Sequence, residues 1–276
     1  MKLKQYLKES RSDSIEKFEA IDYIKKNCKK ALDRVKKGDI IYRGMRQDSD
    51  NTYLFIDPTK GNPRVSANTS NHTTLIIDNS PKWKSYPKRS RSIICSTDKA
   101  YTHGFGNMTY IVFPYDSCTY GVCPTTDIWG SFMKTTKAYI DQFNERLDFT
   151  IKMSIDEKSI VTDKSWDSLK SFLKISSDSI NLEFNRIRNM DSGIQSDDAI
   201  RKYISGITFD GVIKLYLINA FDKKEKVDML QFVIDIIDPV KNNFSNKYKN
   251  IQSEVWIGGA PCILVDADYK SLIDII

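Results

Sequence analysis

The sequence predicts an α+β fold, and three observations carry that expectation. Short apolar runs bounded by turn residues cluster before residue 124 and again between 250 and 270. The middle of the chain changes to helical periodicity, and an amphipathic helix precedes everything. The 276 residues, 40% hydrophobic and 28% charged, suffice for one large domain or two small ones.

Taken in order, residues 14 to 37 place Ile21, Ile24, Cys28, Leu32 and Val35 three and four apart among lysines, with Gly38 as the stop. Ile40-Ile41-Tyr42 then reads as a buried strand, with Arg43-Gly44 at its end. Residues 48 to 74 are dense in Asn, Asp, Ser, Thr, Gly and Pro, which predicts a long loop holding one or two short strands. Leu75-Ile76-Ile77-Asp78 is too short to type, because a buried strand and a helical turn look alike at that length.

The next stretch, PKWKSYPKRSRS, interleaves Lys82, Lys84, Lys88, Arg89 and Arg91 with Trp83 and Tyr86. That texture suits phosphate and base contacts. It reads with more weight as a solvated linker whose two aromatics turn inward. SIICSTD, MTYIVFP (closed by Pro114) and TYGVCP follow as strands, with AYTHGFGN as a connector.

Three groups then carry helical spacing: Trp166, Leu169, Phe172 and Leu173; Ile200, Tyr203, Ile204 and Ile207; Leu230, Val233, Ile234 and Ile237 before Pro239. Near the end, Val255-Trp256-Ile257 and Cys262-Ile263-Leu264-Val265 flank Gly258-Gly259, which predicts a hairpin with a tight turn. The expected organisation is residues 1–124 as the helix and first part of a core, 125–249 as a helical insertion, and 250–276 as the closing hairpin.

Composition narrows the chemistry. Five scattered cysteines read as reduced thiols, since Cys118 and Cys123 have the spacing of no common zinc site. With His72 and His103 the only histidines, neither a His-based metal centre nor a Ser or Cys triad is expected. Carboxylates, amides, hydroxyls and arginines are left to do the work. The net charge of +6 permits an anionic partner without requiring one. No apolar run reaches membrane-spanning length, and MKLKQYLKESRSDS lacks the apolar stretch of a secretory signal, so a cytoplasmic location is expected, with no membrane partner.

Three polar signals stand at strand ends: Tyr42-Arg43-Gly44, Ser96-Thr97-Asp98 and Gln252-Ser253-Glu254. Each is common by itself, and a set of strand ends facing water would produce all three. Their order and contexts are more specific, and in them the sequence resembles the ADP-ribosyltransferases of the Arg-Ser-Glu class, which include clostridial-type toxins and bacteriophage enzymes. The resemblance covers roughly residues 38 to 125 and 250 to 270. One departure is Asp98, where a second serine is usual. Another is the long helical middle, which suggests an insertion that recognises the target.

The resemblance implies a split β-sandwich core and transfer of ADP-ribose from NAD to a macromolecular acceptor without a metal. It assigns Glu254, Gln252 and Ser96 to catalysis and Arg43, Tyr42, Gly44, Ser96 and Thr97 to the NAD site. Cleavage of the nicotinamide–ribose bond develops oxocarbenium character, which a fixed carboxylate at Glu254 would oppose. The guanidinium of Arg43 suits a phosphate. Ser96 would brace Glu254 and the ribose, and Thr97 would shape the pocket. Tyr101 or Phe105 falls where the family often sets an aromatic against nicotinamide, although core packing has the stronger claim on both.

A neutral amide at Gln252 cannot act as a base, so an arginine acceptor is disfavoured. A nucleic acid base stands slightly ahead of a protein asparagine. The stretch Asn68 to His72 could border the pocket, and an inhibitory partner is expected if the protein is a toxin. Hydrolysis of NAD and a non-catalytic nucleic-acid-binding module are the competing functions.

Overall fold

The computed structural model describes residues 12–46, 51–64, 71–132, 163–190, 193–206 and 212–268. The chain divides into two compact units, one formed by residues 1–131 with 239–276 and the other by 132–238. The fold is α+β, a mixture of helices and an antiparallel sheet.

In the first unit eight strands are described: β1 Ser12–Ser14, β2 Tyr42–Met45, β3 Tyr53–Ile56, β4 Ser92–Ser96, β5 Met108–Pro114, β6 Thr119–Val122, β7 Glu254–Gly258 and β8 Cys262–Asp266. Their order is β1-β3-β8-β5-β2-β4-β7-β6, antiparallel throughout. The expected closing hairpin is therefore absent. β7 pairs with β4 and β6, whereas β8 pairs with β3 and β5.

This order cannot lie flat. In a flat sheet β7 and β8 would stand four strand spacings apart, about 19 Å at 4.8 Å each. The three residues Gly259-Ala260-Pro261 between them reach about 14 Å at full stretch. The sheet must therefore curl so that its halves face each other. The core agrees: Leu54, Ile56, Cys262 and Leu264 from one half pack in a single cluster with Ile93, Cys95, Val255 and Ile257 from the other. Gly259, at φ +85°, takes the left-handed conformation that turns the chain from one half to the other.

The outer face of β3, β8 and β5 is covered by α1 (Lys17–Asn27) and α2 (Lys29–Lys36), which bury Ala20, Ile24, Ala31 and Val35 against Tyr53, Phe113, Ile263 and Val265. Periodicity predicts one helix here, and the chain breaks it at Cys28, whose backbone leaves the helical region at φ −120°, ψ 36°. The reason is tertiary. The Cys28 thiol donates to the Phe113 carbonyl at 3.3 Å, and the Asp116 carboxylate accepts the Lys30 N–H at 2.9 Å, satisfying a first-turn donor of α2. Gly38, at φ +77°, ends α2 as expected.

The undetermined Leu75–Asp78 stretch belongs to a helix, α3 (Asn71–Asn79). The connector after β4 contains α4 (Lys99–Thr102) and a 3-10 turn at His103–Phe105, and α5 (Ile128–Ser131) follows β6.

The second unit holds α6 (Asp163–Arg188), α7 (Gly193–Gly206), α8 (Val212–Asp222) and α9 (Met229–Ile236). Three correspond to the predicted periodic groups, although Ile207 of the second group lies outside the described residues. α8 is mostly apolar on every side, with only Lys214, Asn219 and Asp222 polar, so its sequence marks the buried face weakly. Leu169, Leu173, Phe184, Ile204, Leu217 and Val233 are buried there, with Phe184 edge-on to Phe221 at 5.2 Å. Asn181 clamps the Val227 backbone with two hydrogen bonds, and Asp228 caps α9. No helix among the described residues is long and apolar enough to cross a membrane.

Candidate active site

The three polar signals fall on neighbouring strands. Tyr42 pairs with Ser96 across β2 and β4, and Ser96 pairs with Glu254 across β4 and β7, so the three form one row. Directly paired residues share a face of the sheet, which sets Ser96 beside Glu254. Thr97 stitches the second signal to the third: its hydroxyl donates to the Ile251 carbonyl and accepts the Ser253 N–H at 3.0 Å, and its own N–H reaches the Ser253 carbonyl at 3.1 Å.

Ser96 is 3% exposed, and its hydroxyl oxygen accepts the Asp98 N–H at 3.0 Å. Asp98, the departure from the serine pattern, caps α4 by accepting the Ala100 N–H at 2.9 Å. Gly44 has a steric role. A Cβ there would stand 2.1 Å from the Thr102 carbonyl oxygen, so only glycine lets the segment after Ser96 lie against β2.

Glu254 is nearly buried, and its carboxylate is held from one side. Arg89 Nη1 donates to Oε1 at 2.6 Å, with the side chains 8% and 10% exposed respectively. The Cys123 thiol reaches the same oxygen at 3.7 Å. Burial pushes that thiol well above its ordinary pKa, and the Glu254 charge adds to the effect, so it stays protonated and can donate. For Arg89, burial works against the charged form, but Glu254 and its neighbours prevail and leave the guanidinium above its usual value. Oε2 has no hydrogen bond among the described residues and is not a fully buried atom.

Arg89 itself is fixed from several directions. Its backbone N–H and that of Ser90 donate to the Asp78 carboxylate at 2.6 and 3.1 Å, and its guanidinium lies 5.5 Å from the Trp256 ring. Trp256 sits in an aromatic group with Trp83, Tyr86 and Phe244. The 82–91 stretch is therefore largely packing: Trp83 is 2% exposed and Arg89 turns inward, whereas Lys84 and Lys88 remain exposed. Sequence reasoning counted Arg89 among solvent-facing cations. Its place before a strand gave no sign that a carboxylate far along the chain would meet it.

Arg43 stands apart from Glu254. It follows Tyr42 by one residue on β2, so it projects from the other face, toward the space between the sheet halves. It is 8% exposed, donates to the Ile94 carbonyl, and borders a small cavity with Arg64, Ser90, Ser92 and Ile93. Gln252 is exposed beside the stitched segment. Tyr101 and Phe105 are 5.3 Å apart, and Phe105 is 55% exposed, so core packing does not account for it. Burial first, then the charges of Asp127 and Glu254, raise the pKa of the Tyr101 phenol.

The side chains of the Asn68–His72 stretch lie outside the described residues. No cluster of metal-ligating side chains occurs among the described residues. The arrangement thus offers a pinned carboxylate with one oxygen open, a buried hydroxyl beside it, an exposed amide and an exposed aromatic. Compared with known protein families, with curated proteins and with solved structures, the chain matches none.

Proposed function

We propose that this protein is a mono-ADP-ribosyltransferase with an ADP-ribosyltransferase-like split β-sandwich core, moving ADP-ribose from NAD to a macromolecular acceptor and releasing nicotinamide. The observation that carries the reading is the row Tyr42–Ser96–Glu254 across β2, β4 and β7, tied by Thr97 to residues 251–253. Tyr42, Ser96 and Glu254, far apart in sequence, meet in one row.

In this reading Glu254 Oε2 accepts a hydrogen bond from a ribose hydroxyl and opposes the positive charge that grows as the nicotinamide bond breaks. The Ser96 oxygen already accepts a backbone N–H, and its own hydrogen is left to donate to the ribose or the carboxylate. The exposed ring of Phe105 offers a face to nicotinamide. Thr97 and Gly44 hold the pocket's frame.

Support for the reading is stronger on the ribose side than on the phosphate side, because the face on which Arg43 lies is opposite that of Glu254. The phosphate role of Arg43 is therefore the part of the reading most exposed to test. Gln252 would present its amide to an acceptor with a matching edge, either a nucleobase or an asparagine side chain. The inward turn of Trp83 and Arg89 withdraws the support that the 82–91 stretch lent to nucleic acid.

The test is incubation with adenine-labelled NAD and, separately, DNA, RNA or cell protein, following free nicotinamide and label retained on macromolecules. Label retained in one mixture and lost with Glu254→Ala is the expected result. Nicotinamide release without retained label in any mixture would replace transfer with hydrolysis. No release at all would remove the enzymatic reading.

A further inference from the structure

We propose that Arg89 is a positioning residue for the reaction: by binding Oε1 of Glu254 it holds the carboxylate in the rotamer that presents Oε2 to the ribose. The inference rests on the reading of Glu254 as the group that faces the ribose, and it adds a residue that the Arg-Ser-Glu pattern does not contain.

Four observations converge. The Arg89–Glu254 contact is short, at 2.6 Å, and almost fully buried on both sides. The Cys123 thiol supports the same oxygen, so both donors act on Oε1 and leave Oε2 without a partner among the described residues. Arg89 cannot swing away readily, because Asp78 grips its backbone at two N–H groups and Trp256 lies 5.5 Å from its guanidinium. Glu254 is likewise fixed at its backbone, donating to the Thr125 carbonyl at 3.0 Å and accepting the Cys123 N–H at 2.9 Å. Such a locked supporting shell keeps a reacting group within a fraction of an ångström of its working position.

The pairing has an electrostatic side. A nearly buried carboxylate without a counter-charge favours a turn toward solvent. The neighbouring guanidinium opposes that turn, although it also weakens the field that Glu254 exerts on a developing cation. Arg89 therefore serves by geometry, fixing where Oε2 points, rather than by adding charge stabilisation. Lysine would keep the charge and lose the planar, directional donor set.

The experiment compares wild type, Arg89→Ala, Arg89→Lys and Glu254→Gln for nicotinamide release over a range of NAD concentrations, with a thermal melt of each variant. For folded Arg89→Ala we expect kcat about 100-fold lower with KM for NAD within about threefold, because misorientation costs the transition state more than the ground state. Added guanidinium ion should restore part of the loss, and Arg89→Lys should fall between Ala and wild type. If Arg89→Ala does not fold, the KM and kcat of Arg89→Lys are read in its place.

A folded variant with kcat within threefold of wild type would overturn the inference and leave the role of Glu254 standing. Equal damage to kcat and NAD affinity without guanidinium rescue would overturn it too, reducing Arg89 to a structural brace. Wild-type protein that releases no nicotinamide would remove the reading of Glu254, and this inference with it.

Discussion

At the scale of single residues, the site turns on which atoms are already engaged. Arg43 and Gln252 are opposites in this respect, the first buried with its guanidinium on the Ile94 carbonyl, the second exposed at the rim. If Arg43 holds a phosphate of NAD, Arg43→Ala weakens NAD binding about tenfold or more while the remaining protein stays folded. Isothermal titration beside a denaturant melt separates the outcomes. Unchanged affinity with lower stability would make Arg43 a support for β4. For Gln252→Ala we expect transfer to the acceptor to fall more than NAD hydrolysis, since the amide faces outward. Equal losses, measured as retained label against free nicotinamide, would deny it an acceptor role. The three signals were legible in the sequence because each is local. The partner of Glu254 was not, because nothing near Arg89 in sequence records a carboxylate on β7.

At the scale of elements, two packing relations lend themselves to test. Gly44 lets α4 and the turn after it lie against β2, with a hypothetical Cβ 2.1 Å from the Thr102 carbonyl oxygen. Gly44→Ala should therefore cost about 1–3 kcal/mol by overpacking, read as a lower denaturation midpoint. An unchanged midpoint would show that the connector can move away. On β6, the Tyr120 phenol accepts a hydrogen bond from Arg34 at 3.1 Å and is pushed up to about 12, burial prevailing over the lowering effect of Arg34. An unfolded tyrosine ionises near 10. Between those values the unfolded chain has lost the proton that the folded one keeps, so Tyr120 contributes stability below pH 10 and loses it as pH rises toward 12. Melts across that window should show a decline that Tyr120→Phe makes shallower; an identical decline in the variant would clear Tyr120 of the effect.

At the scale of the whole molecule, the decisive feature of the first unit is the curled sheet. Ile257 on β7 and Leu264 on β8 are both fully buried in one cluster although their strands never pair. Ile257→Ala and Leu264→Ala should each destabilise by about 2–5 kcal/mol. The double variant should depart from additivity by about 0.5 kcal/mol or more, because the two losses open the same core. Strict additivity in equilibrium unfolding would argue that the halves do not share it. The same curl carries the row Tyr42–Ser96–Glu254, since β7 joins β4 rather than its successor in sequence.

The sequence by itself determined the class of fold, nearly every strand from β4 to β8, the three helical groups of the middle and the three polar signals. All of these are written in local period and turn chemistry. Only the tertiary structure decided that β7 and β8 part to opposite halves of the sheet, that the first helix breaks where Asp116 accepts a backbone N–H of its second piece, and that Arg89 meets Glu254. The physical reason is common to all three. Alternation along a strand fixes which side chains share a face, but strand partners, helix breaks and buried counter-charges are set by residues more than eighty positions away.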